Sequence, residues 1–272
     1  MSALRHVRVR SAQTGMILRL AAIAAVAASF AACDASDAAP RSGAPPPKAR
    51  QPAATVLVLT QTLGYHHSSI PWAVEALRRI AVRDRRYRVV FLPGVASLTR
   101  TRLKHAAAVV FLLTSGELPL SQSGKRALIT YVHDGGGLIG FHSATDTFHH
   151  WPAYTRLIGA EFGHHPAPST ERLVVEDRAA PMTRALPRSF SIHEEFYVFT
   201  HDPRSHVHVL VRLDTPHDRP DRPLVWCRRS ERGRVFYDAL GHFPQTWSDP
   251  RQLALVSGGI AWAASLITAP SC

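Results

Sequence analysis

Thr55-Val56-Leu57-Val58-Leu59-Thr60 decides the fold class. The run is apolar at its centre and rich in β-branched residues. A strand with one wet face alternates polar and apolar, so a continuous run of this length predicts burial on both faces of a parallel sheet. Working outward, Ser69 followed by Pro71 opens a helix to about Val82, because proline's missing N–H is harmless in a first turn. Tyr87 to Leu92 and Ala107 to Leu113 are the next two strands. Ser121 caps a helix that runs to Asp134 and ends at Gly135. Leu138 to Phe141 is the fourth strand. This alternation predicts βαβ units and a doubly wound, mostly parallel α/β sheet with helices on both faces.

Beyond Trp151 the rhythm changes. Arg172 to Glu176, Val207 to Leu213, Leu224 to Arg228 and Arg234 to Ala239 read as strands that add antiparallel pairing, before a closing helix from Pro250 to Ser265. With no internal repeat and no second linker, one domain is expected over residues 54–266, with a tail at 267–272.

The first fifty residues have a different character. Leu20 to Ala32 is uncharged and apolar, preceded by Arg5, Arg8, Arg10 and Arg19. It is too short for a bilayer-spanning helix and has the layout of a secretory signal over residues 1–32, with Met16 as an alternative start. Phe30-Ala31-Ala32-Cys33 resembles a bacterial lipobox, which implies acylation of Cys33, although Phe30 stands where Leu is usual and leaves cleavage near Ala31 as the competitor. Residues 33–53, rich in Ala and Pro, read as a disordered tether. The expected location is therefore the cell envelope, with membrane attachment through the lipid. Of the remaining cysteines, Cys227 reads as an inert thiol in a buried strand, and a bridge to Cys272 is the less favoured option.

The 272 residues carry 32 Lys+Arg against 20 Asp+Glu, and the hydrophobic share of 46% excludes a wholly disordered chain. Three cysteines exclude a disulfide-stapled miniature and a multi-cysteine zinc module. The densest basic run, Arg78, Arg79, Arg83, Arg85, Arg86 and Arg88, matches no nucleic-acid-binding pattern and reads as a solvated surface, so no nucleic-acid partner is expected.

In an open α/β sheet, ligands bind at the carboxyl ends of the strands. There the sequence delivers Gly64-Tyr65-His66-His67-Ser68, then Ser115-Gly116-Glu117, then His142, Ser143 and Asp146, and finally Gly241 and His242. A lone His after a strand is ordinarily a hydrogen-bonded loop residue. Several such strand ends together point to a site.

The motifs Gly64 to Ile70, Gly135-Gly136-Gly137-Leu138-Ile139-Gly140-Phe141-His142-Ser143-Ala144, Gly163-His164-His165-Pro166, Glu194-Glu195-Phe196-Tyr197, Leu240-Gly241-His242 and Gly259-Ile260-Ala261-Trp262-Ala263 resemble the trehalose-utilisation (ThuA-like) family. The resemblance runs from about Thr55 to Ala264. It implies a flavodoxin-like layered fold, similar to that of class I glutamine amidotransferases, and a role in carbohydrate metabolism. Two positions depart from the family pattern: His66 stands where Arg is usual, and Glu194 where Asp is usual. The amidotransferase nucleophile is a Cys on a sharp turn after a strand, and here that turn carries His142, so glutamine hydrolysis is rejected. Ser143 carries no local mark of activation.

The candidate catalytic residues are His67, His142, Glu195 and His242, imidazoles and a carboxylate able to serve acid and base steps. The same set is compatible with a divalent metal held by nitrogen and oxygen, though no HExxH-like spacing fixes it. The candidate substrate contacts are Tyr65, Gly116, Asp146, Trp151, His165 and Tyr197, the aromatics for stacking on a sugar's C–H face, with ordinary core packing as their alternative. Glu194 reads equally as a surface carboxylate. The expected partner is a small-molecule carbohydrate, trehalose-like or a 3-keto glycoside, processed by hydrolysis or elimination; the alternative is a non-catalytic sugar- or metal-binding module. No nucleotide cofactor is expected, since no GxGxxG follows the first strand.

Overall fold

The computed structural model describes residues 53–215 and 222–272. The signal, the Cys33 lipobox and nearly all of the tether lie outside the described residues. None of the described helices is long and apolar enough to cross a membrane.

The first half alternates as its periodicity predicts: β1 (Ala54–Leu59), α1 (Ile70–Asp84), β2 (Tyr87–Phe91), α2 (Arg100–Lys104), β3 (Ala108–Leu112), α3 (Gln122–His133) and β4 (Gly137–Phe141). Then come α4 (Pro152–Ile158), β5 (Phe162–His164), β6 (Ser169–Val175), β7 (Ser189–Glu194), β8 (Val198–Phe199) and β9 (His208–Leu213). The chain closes with β10 (Arg222–Ser230), β11 (Gly233–Asp238) and α5 (Pro250–Ala263). Nine strands form one sheet in the order β2-β1-β3-β4-β11-β10-β9-β6-β7, and β5 pairs with β8 separately. Neighbours from β2 to β11 run parallel, with β11 arriving last beside β4. From β11 outward the pairings are antiparallel.

Burial explains the pattern. Every residue of β3 and β4 is buried, as is β1 from Val56 to Leu59, so these strands need no alternation. The helix caps follow chemistry: Ser121 accepts from the Gly124 N–H at the start of α3, and Asp249 from Arg251 at the start of α5. Ser69 precedes α1 as expected, but its hydroxyl caps nothing and donates instead to the Gly241 carbonyl at 2.8 Å.

Two expectations are corrected. Cys227 is not a free thiol: it is bonded to Cys272, which fastens the tail to β10. The strand spacing gave no hint of this, because the bridge depends on the tail folding back across 45 positions. β7 is an additional strand beyond those expected, in which Phe190, Ile192 and Glu194 point inward and alternate with Ser189, Ser191 and His193.

Candidate functional site

Four segments far apart in sequence bring His67, His142, Glu195 and His242 together, with one ligand atom from each lying within 4.8 Å of the others. His67 rides on the loop after β1, His142 directly follows β4, Glu195 directly follows β7, and His242 lies in the turn after β11. His142 adopts φ +50 at the sharp turn between β4 and the 3₁₀ turn His142–Asp146, a conformation that costs a non-glycine residue energy and aims its ring off the sheet.

Each ring has a defined environment. His142 Nδ1 donates to the Ala239 carbonyl at 2.7 Å, leaving Nε2 to face Glu195 Oε2 at 3.4 Å and the Tyr197 hydroxyl at 3.1 Å. His242 Nδ1 is buried and lies 3.0 Å from Glu195 Oε2. His67 Nδ1 sits 3.4 Å from the Ser143 hydroxyl. Burial, reinforced by His142 and His242, pushes the His67 imidazole down to about 2, so it is neutral near pH 7. For Glu195, burial pushes upward, but His142 and His242 outweigh it and hold the carboxyl below its usual range.

Three imidazoles and an ionised carboxylate, with one donor or acceptor atom of each converging on the same point, make a fitting N₃O set for a borderline divalent cation. The Nδ1–H of His142 on a backbone carbonyl is the second contact that usually orients such a ligand.

Around this core, His165 Nε2 reaches the other carboxylate oxygen of Glu195 at 3.1 Å and is about one-third exposed. Tyr197 is buried, and burial pushes its phenol well upward, so it stays a neutral donor. The Tyr65 ring edges His67 at 4.6 Å and is 62% exposed at the rim.

The remaining candidates make contacts of their own outside the four-residue cluster. Asp146 Oδ1 is taken up by His149 Nε2 at 2.8 Å. Trp151 packs on Phe148 and Tyr154 beneath Lys125. Gly116, at φ +79, presses the loop after β3 against Gly64, where an added Cβ would come within 2.5 Å of the Gly64 nitrogen. Glu194, read equally as a surface carboxylate, is fully buried, which overturns that option.

No curated protein matches the chain. The family model described as ThuA, trehalose utilisation, matches residues 55–263. Among solved structures, a ThuA-like protein from Bacteroides uniformis ATCC 8492 superposes with a TM-score of 0.66 at 22% identity, covering 81% of this chain and 95% of that one. A ThuA-like protein from Parabacteroides merdae ATCC 43184 gives a TM-score of 0.61 at 19% identity, covering 81% and 94%. At these identities the likeness shows the fold. Together with the family match, it establishes that the chain belongs to the ThuA (trehalose utilisation) family.

Proposed function

We propose that the protein is a cation-assisted, acid–base enzyme acting on a disaccharide or glycoside of the trehalose type, including 3-keto forms, at the cell envelope. The observation that carries this reading is the convergence of His67, His142, Glu195 and His242 within 4.8 Å. These four residues would hold the cation, which supplies Lewis-acid polarisation of a substrate oxygen when bound.

The rest of the chemistry falls to the surrounding side chains. Tyr65 offers an exposed ring for the apolar face of a pyranose. Glu195 turns Oε2 to the imidazoles and Oε1 to His165, forming a carboxylate–imidazole pair. His165 Nε2 is exposed enough to exchange its proton with water. In a 3-keto glycoside, removal of the proton on C2 and departure of the C1 oxygen require one base and one acid, and this pair with the Tyr197 hydroxyl provides both. The envelope assignment is supported by the amino-terminal sequence and by the Cys227–Cys272 bridge, a bond that persists in oxidising compartments, and the lipid at Cys33 by the lipobox-like sequence alone.

A panel of ordinary and 3-keto disaccharides, offered with and without added Zn²⁺ or Mn²⁺, tests the reading. We expect cation-dependent turnover of at least one glycoside and, for His142→Ala, sugar binding without turnover. Sugar binding with no conversion by the wild type would favour the non-catalytic module.

A further inference from the structure

We propose that Glu194 is a positioning residue that sets the four cation-site groups relative to one another through the turn Ala239–His242; this rests on the cation reading above. Glu194 ends β7 and is fully buried. Its Oε1 accepts from the Gly241 N–H at 3.0 Å and from the Thr246 hydroxyl. Its Oε2 accepts from the His242 N–H at 3.2 Å and from the Glu195 N–H at 3.1 Å. Four neutral donors thus satisfy a carboxylate that burial removes from water. The turn cannot swing away without stranding that carboxylate.

The turn in question touches every part of the site. The Ala239 carbonyl accepts from His142 Nδ1 at 2.7 Å and so fixes that ring. The Gly241 carbonyl accepts from Ser69, two residues beyond His67, at 2.8 Å, and from Trp247 Nε1 at 2.9 Å. The Leu240 N–H is held by Asp238 Oδ1 at 3.0 Å. Gly241 is at φ +131 with Trp247 against its missing side chain, a backbone shape other residues rarely adopt. His242 belongs to the turn itself, and Glu195 is bonded to Glu194 directly. One buried carboxylate therefore ties the backbones that carry Glu195 and His242 together, and the turn it grips fixes His142 and braces the His67 loop.

Co²⁺ binding to the full chain, followed by the ion's visible spectrum, tests this in the wild type, Glu194→Gln, His242→Ala and the double variant. Glu194→Gln is expected to weaken binding about 10–100-fold, the usual cost of losing a supporting partner. In the His242→Ala background the same change should cost clearly less than in the wild type, because one of the groups it positions is already gone. Wild-type affinity in Glu194→Gln, or a fully additive loss in the double variant, overturns the proposal. Where Glu194→Gln does not fold, Thr246→Val removes one donor at constant shape and should weaken Co²⁺ several-fold; unchanged binding overturns the proposal equally. Should the wild type bind no Co²⁺, the cation reading fails by itself. Positioning is then read from amide hydrogen exchange, where Gly241 and His242 should exchange at least about tenfold faster in the variant while Val110 in the core is unchanged. Equal protection of Gly241 and His242 in both proteins overturns it.

Discussion

His142 donates from Nδ1 to the carbonyl oxygen of Ala239 at 2.7 Å, and this one bond decides which ring nitrogen faces the site. A carbonyl only accepts, so Nδ1 carries a proton and Nε2 is the nitrogen turned toward Glu195 Oε2 and the Tyr197 hydroxyl. A proton or a cation placed between Nε2 and Glu195 Oε2, 3.4 Å apart, would bridge the two.

A divalent cation should therefore stabilise the folded wild type. Ligand present at about 100 times its Kd adds about 2.7 kcal/mol, seen as a rise in Tm. Glu195→Gln removes the only anionic ligand and should abolish the rise, with cation affinity down at least about 100-fold. Its cation-free stability should fall below that of the wild type, because His142 and His242 lose the carboxylate that they hold ionised. Differential scanning calorimetry with and without Zn²⁺ checks both statements.

Asp238, buried beside the turn, is shifted in the opposite direction to Glu195. Burial, with Glu194 adding to it, pushes its carboxyl up to about 7 against the amide contacts of Leu240 and Gln252. The folded state thus holds a proton that the unfolded state releases near 4. The wild type should lose stability from Asp238 as pH rises from about 4 to about 7 and gain nothing back above that. At about 1.4 kcal/mol per pH unit the full effect is up to about 4 kcal/mol. Asp238→Asn has no such titration and can donate to Gln252 Oε1, which is buried without a partner. The stability difference between variant and wild type, measured by urea unfolding across pH 4–8, should grow in favour of Asn.

The Cys227–Cys272 bridge closes a loop with a sequence separation of 45. Chain-entropy arguments give such a loop about 4 kcal/mol, with strain subtracting from it. Cys272→Ser, or reduction of the wild type, should lower unfolding stability by about 2–4 kcal/mol. Cation binding should be unchanged, because the bridge lies on β10 and the tail, whereas the four ligands come from other segments. Paired denaturation and Co²⁺ titrations check this.

Tyr65 should affect sugar binding without affecting the cation. Its carbonyl accepts from Ser115 Oγ at 2.7 Å, which fixes the backbone whatever the side chain. Tyr65→Ala removes a ring contact worth about 0.5–1.5 kcal/mol, so KM for the glycoside should rise about 3–10-fold at unchanged Co²⁺ affinity.

Tyr87 is a purely structural case. Its ring is buried under the sheet edge, and its hydroxyl has no hydrogen-bond partner. Tyr87→Phe removes an unsatisfied polar group and should raise stability by about 1 kcal/mol, read from the urea midpoint.

The parallel half of the fold was legible because its strands are buried on both faces, which leaves continuous apolar runs such as Val56–Leu59 and Ala108–Leu112 bounded by cap residues. His67, His142 and His242 stood out for a related reason: each follows a strand run that the sequence makes plain. Glu195 was recognisable only by its resemblance to a family motif, since β7 was not recognised and its end could not be placed. Glu194 shows the limit most clearly. Whether a carboxylate is solvated or gripped by four donors depends on Gly241, His242 and Thr246, nearly fifty positions away, and no local pattern reports that. Cys272 was equally silent, as its partner is chosen by the path of the tail.

Isothermal titration of the purified, chelator-stripped wild type with Zn²⁺ tests the central claim most directly. The account predicts one site per chain, lost in His142→Ala and in Glu195→Gln. Absence of binding by the folded wild type, or undiminished binding in both variants, would contradict it.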